Sequence, residues 1–116
     1  MQLQKRFRFW KTDEKRWFYF DFSTYMTYKK EIDKALDDGL TLYQYTGIED
    51  ILGKCVYEGD YVCVSGTEEV YEVAYDMDYL GFVFKSSSVT CTFDQFTGQL
   101  EVIGSIKDTK KVKYEN

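Results

Sequence analysis

Between Leu42 and Val64 the chain reads LYQYTGIEDILGKCVYEGDYVCV, with two apolar, aromatic runs (Leu42 to Tyr45 and Tyr61 to Val64) separated by glycines. Gly47 marks a first turn, and Gly59, inside Tyr57-Glu58-Gly59-Asp60, marks a second. Glycine reaches positive φ without steric cost, so each turn can reverse the chain within a few residues and lay a short strand against its neighbour. A chain organised around such a stretch is expected to form the corner of a small β-barrel.

The flanking sequence extends this pattern. Before it, KRFRFW and WFYFDF alternate aromatic and polar positions on either side of the charged KTDEKR, which predicts a β-hairpin over Lys5 to Phe22. From Thr27 to Gly39 the period changes: Tyr28, Ile32, Ala35 and Leu36 form one stripe of a short helix, with Thr27 as N-cap and Gly39 as the C′ residue. Three half-buried strands are expected at Glu69 to Met77, Tyr79 to Lys85 and Ser88 to Phe93. In the first of these Tyr71, Val73, Tyr75 and Met77 share the apolar face; in the last Val89, Cys91 and Phe93 do. A closing strand spans Gln99 to Ile106, with Gly104 marking a bulge or tight bend, and a polar, basic tail follows from residue 107. Many short strands, tight turns and one helix imply a mainly β fold, a small barrel with minor α content. Its 116 residues fit one compact unit, with aromatics at 19% supplying core volume despite the modest length.

The run QYTGIEDILGKCVYEGDYV resembles the signature of the YopX-like family of phage and prophage proteins: a Gln-Tyr-Thr-Gly-aliphatic start, an Asp-x-x-Gly-Lys turn, then Tyr-Glu-Gly-Asp-aliphatic-Val. The opening hairpin is similar to the family's beginning, and Leu100-Glu101-Val102-Ile103-Gly104-Ser105-Ile106 is similar to its ending. The helical segment departs most from the family pattern. The resemblance implies an SH3-like barrel for residues 41–106, preceded by the hairpin and helix in residues 1–40, and a phage or prophage origin.

Charge is unevenly spread along the chain. Residues 1–16 hold six cations (Lys5, Arg6, Arg8, Lys11, Lys15, Arg16) against Asp13 and Glu14, whereas residues 31–78 hold thirteen carboxylates against Lys34 and Lys54. A net charge of −5 is the wrong sign for a dedicated nucleic-acid binder. The N-terminus has no apolar segment typical of a secretory leader, and no apolar run is long enough to span a bilayer, so the cytoplasm of a bacterial host is the expected location, with no membrane partner. Cys55, Cys63 and Cys91 are odd in number and lie in apolar runs without zinc-ligand spacing; they are expected to be buried, unreactive thiols, against the rival reading of a three-thiolate zinc site completed by Asp60.

Histidine is absent, so Ser-His-Asp and Cys-His constellations are impossible, and Gly47, Gly53 and Gly59 lack the Gly-Lys-Ser/Thr ending of a P-loop. Neither an enzyme nor a cofactor is expected. Two contact surfaces remain. An acidic, tyrosine-rich middle (Tyr43, Tyr45, Glu49, Asp50, Tyr57, Glu58, Asp60, Tyr61, Glu68, Glu69, Glu72, Asp76 and Asp78) can imitate phosphate charge and occupy a basic groove on a host protein, such as a defence nuclease, in the manner of an anti-CRISPR. Its bland rival is a solvated acidic face. The second surface is the basic aromatic hairpin (Arg6, Arg8, Trp10, Lys15, Arg16, Trp17 and Tyr19), suited to single-stranded nucleic acid, against plain packing of its phenylalanines with the cations solvated. A third reading docks the basic hairpin of one copy on the acidic middle of another, giving a homo-oligomer.

Overall fold

The structure, a computed structural model, describes residues 5–93 and 98–107. The tail from 108 onward lies outside the described residues. The chain divides into two compact units, Met1–Tyr45 and Thr46–Asn116. Among the described residues it is mainly β with one helix, and no helix is long and apolar enough to cross a membrane.

In the first unit, β1 (Phe7–Lys11) and β2 (Arg16–Phe20) form the expected hairpin, and β1 also pairs with the start of β3 (Tyr43–Glu49). The register sets Phe7 opposite Phe20 and Phe9 opposite Phe18, with ring centroids 5.6 Å and 5.1 Å apart. Cross-strand aromatic pairs of this kind stabilise a hairpin and give it one apolar face. Helix α1 (Lys29–Asp37) covers that face with Ile32 and Ala35.

Two details of the helix differ from expectation. The N-cap is Tyr28, not Thr27, because helical turning starts upstream: the Asp21 carboxylate accepts Thr24 N–H at 3.0 Å, and Tyr28 N–H already reaches Thr24 O at 3.2 Å. Leu36 is exposed, because this short helix buries only the narrow stripe centred on Ile32 and Ala35. The C-terminus is as expected. Gly39 sits at φ +76°, its N–H bonds Leu36 O, and Leu40 N–H bonds Ala35 O, which is a Schellman motif closed by Leu40 packing on the core.

In the second unit the rest of β3 lies beside β4 (Cys55–Tyr57), a three-residue strand. A curled five-stranded antiparallel sheet follows, built from β5 (Asp60–Val64), β6 (Val70–Asp76), β7 (Gly81–Lys85), β8 (Thr90–Thr92) and β9 (Leu100–Ser105) in the order β8-β7-β6-β5-β9. Val56, Val62, Val73, Phe84 and Leu100 are fully enclosed, and Phe93 stacks on Phe84 at 4.1 Å. This is a small barrel-like fold.

Gly47 does not make a turn. It lies within β3 at φ +89°, where the strand distorts and continues, and the reversal comes at Asp50–Lys54, with Gly53 at φ +81°. Gly59, at φ +90°, does make the β4–β5 turn. The bulge falls at Ile103–Gly104: Tyr61 faces Gly104 and Val62 faces Val102, so Ile103 has no partner residue in β5. The apolar face of β6 is shorter than expected, since Tyr75 and Met77 run beyond the core and are exposed, as is Val89 before β8.

Candidate acidic contact surface

Among the described carboxylates of the second unit, Asp50 and Asp60 are buried and the others are half-buried or exposed. Asp50 is only 7% exposed. Its Oδ1 accepts Leu52 N–H at 2.9 Å and Lys54 N–H at 2.8 Å, closing the β3–β4 turn, and its Oδ2 accepts Val102 N–H of β9 at 2.9 Å. Burial pushes this carboxyl upward, but the three backbone donors prevail and hold it below its ordinary value. Ile51 N–H adds a bond to Leu100 O at 2.8 Å, so the turn is clasped to the edge strand. Asp60 is buried too, its Oδ2 accepting Tyr57 N–H at 2.8 Å across the Gly59 turn. Neither aspartate is placed for contact with a partner, which corrects their inclusion in the acidic surface: a turn aspartate satisfies buried N–H groups before it meets solvent.

The other acidic candidates lie nearer solvent. Glu49, Glu68 and Glu69 are exposed, and Glu58 and Glu72 are half-buried. In the register Tyr61, Glu72 and Lys85 stand side by side across β5, β6 and β7, on the face opposite Val62 and Val73. Glu69 accepts a hydrogen bond from the Tyr71 hydroxyl. That bond, with burial second, pushes the Tyr71 phenol up to about 12. Asp76 starts the β6–β7 turn by accepting Asp78 N–H at 2.8 Å and pairs with Lys85 Nζ at 3.1 Å, which lowers its carboxyl. Of the tyrosines, Tyr43, Tyr45 and Tyr61 are half-buried and Tyr57 is buried.

The chain matches the model of the YopX protein family over residues 6–111, nearly its whole length. It belongs to the YopX family. No curated protein matches it significantly.

In this YopX-family chain the basic hairpin is engaged with itself. Arg8 is 3% exposed, with its guanidinium 3.8 Å from the centroid of the Trp17 ring. Trp17 in turn meets Trp10 and Tyr43 edge to face, each at 5.3 Å. Lys11 Nζ pairs with Glu14, and Arg16 Nε bonds the same carboxylate at 2.6 Å, together holding it below its usual range. Arg8 is therefore corrected as a nucleic-acid contact, because cation–π stacking buries it. Arg6, Lys15 and Arg16 remain exposed, Trp10 and Trp17 are half-buried, and Tyr19 is exposed.

The cysteines are half-buried rather than buried. Cys63 alternates with the core residues Val62 and Val64 and stands opposite Glu101, whereas Cys91 packs on the core beside Phe84. Burial first, and then Glu101 or Glu69 respectively, pushes both thiols up. Among the described residues no group of three or more Cys, Asp or Glu side chains comes together as a metal site would.

Sequence reasoning missed the β6–β7 tip. Met77, Tyr79 and Leu80 are exposed there, although Met77 and Tyr79 read as strand residues in the alternation. Asp76 and Asp78, both common turn-formers, are the signal that could have ended the strand sooner.

Proposed function

We propose that this YopX protein is a non-enzymatic, phage- or prophage-encoded binding protein that acts in the host cytoplasm. It occupies a basic, nucleic-acid-binding groove of a host enzyme, with inhibition of a defence nuclease as the sharpest form of the reading. The supporting observation is the separation of roles among the carboxylates: Asp50 and Asp60 hold the turns, while Glu49, Glu58, Glu68, Glu69 and Glu72 stand on or beside a short-stranded frame, among tyrosines. Fixed carboxylates with rigid aromatic neighbours offer a partner charge complementarity at low ordering cost. Nucleic-acid binding by the hairpin is the weaker reading, because Arg8 is buried under Trp17 and Arg16 shares Glu14 with Lys11. The test is capture of the partner from host lysate by the wild-type chain and by a Glu49→Lys, Glu58→Lys, Glu72→Lys variant of unchanged thermal midpoint. The variant is expected to lose its partner, and undiminished capture would remove the acidic surface from the reading.

A further inference from the structure

The tip of the β6–β7 hairpin combines two features that the fold itself does not use. Leu80 is 77% exposed, Met77 73% and Tyr79 52%, so three large apolar side chains stand together in solvent beside the edge-to-face pair Tyr75–Phe82. Leu80 is also held at φ +52°, in the left-handed region that glycine occupies easily and a leucine only with strain. A glycine would make this turn with less strain, and the leucine side chain adds nothing to the core. An exposed apolar residue kept in a strained backbone conformation is the signature of a contact point.

From these observations we infer that Met77, Tyr79 and Leu80 form a docking knob that enters an apolar pocket with a basic rim on a partner protein. Charge selects this occupant. Asp78 is exposed within the knob, whereas Asp76 just below it is neutralised by Lys85 at 3.1 Å. The exposed Asp78 carboxylate disfavours anionic lipid and nucleic acid at this tip, and two copies meeting tip to tip would set Asp78 against Asp78. A pocket bordered by Lys or Arg accepts both the apolar side chains and Asp78, with the knob as the energetic anchor. The inference rests on the binding-protein reading above and names the contact that anchors it.

The test places a photoreactive benzophenone side chain at position 80, and in a control chain at position 88, and irradiates each in host cells. The partner joined at position 80 is then purified and titrated with wild-type protein, with Leu80→Gly, and with a Glu49→Lys, Glu68→Lys variant of unchanged thermal midpoint. The expected result is an adduct from position 80 but not 88, mapping to an apolar pocket bordered by basic residues. Leu80→Gly should weaken binding about tenfold or more, as loss of an anchor does, without lowering the thermal midpoint, since glycine relieves the backbone. No adduct at position 80, equal adducts at both positions, an adduct to lipid or to a second copy, or Leu80→Gly binding within about twofold of wild type would each overturn the knob. If Leu80→Gly binds normally while the Glu→Lys variant fails, the knob falls and the acidic surface stands. If Leu80→Gly fails and the Glu→Lys variant binds normally, the acidic surface falls instead.

Discussion

Asp50 sits in the Asp-x-x-Gly-Lys turn, and its carboxylate does work that no neutral side chain can repeat: one oxygen closes the turn and the other reaches β9. An asparagine keeps a single acceptor oxygen, so Asp50→Asn leaves at least one of these buried N–H groups unsatisfied. The expected cost is about 2 kcal/mol at neutral pH, read as a lower urea midpoint. Because the folded carboxyl lies below the ordinary 3.8, its stabilisation is complete above that value and disappears as pH falls through the lowered folded value. The gap between wild type and Asp50→Asn should therefore be constant near neutrality and narrow only in strong acid. Tyr71 works in the opposite direction. Its phenol, raised to about 12 by Glu69 and by burial, contributes stability that is complete below its ordinary 10 and is lost as pH rises through about 12. Replacement by phenylalanine should remove that alkaline component.

At the scale of elements, the hairpin and the closing strand were legible because their evidence is local. Period-2 alternation in KRFRFW and WFYFDF sets Phe7, Phe9, Phe18 and Phe20 on one side whatever else the chain does, and the glycine in Val102-Ile103-Gly104 marks the bulge. Positive φ is a weaker guide. Gly47 and Gly59 both adopt it, but one distorts a strand and the other turns the chain, and the hydrogen bonds beside them run to carbonyls distant in sequence, from Thr46 Oγ1 to Val56 O and from Gly59 N–H to Val73 O. The strand β4 could not be seen at all, since three residues are too few for a period to register. Gly39 was readable from the helix stripe before it, and its role makes a firm prediction. Gly39→Ala meets no atom within 4 Å but must hold φ +76°, so it should destabilise by about 1 kcal/mol in chemical denaturation, purely through backbone strain.

Across the whole molecule, charge counted by segment proved a poor map of charge presented to a partner. Four of the thirteen carboxylates between residues 31 and 78 (Glu31, Asp33, Asp37 and Asp38) are on or beside the helix of the first unit, where Asp33 pairs with Lys29 and Asp38 with Lys34. Two more, Asp50 and Asp60, are buried, and Asp76 is paired. The candidate surface thus shrinks to a few glutamates and a strained apolar tip, a selection that depends on burial and pairing rather than on composition. The basic segment shrinks in the same way, as Arg8 disappears under Trp17. The most direct measurement of the proposed reading, that this protein substitutes for nucleic acid instead of binding it, is a fluorescence anisotropy titration of labelled single-stranded DNA and RNA at low and high salt. The account predicts no saturable binding at either salt; tight binding that weakens steeply with salt would contradict it.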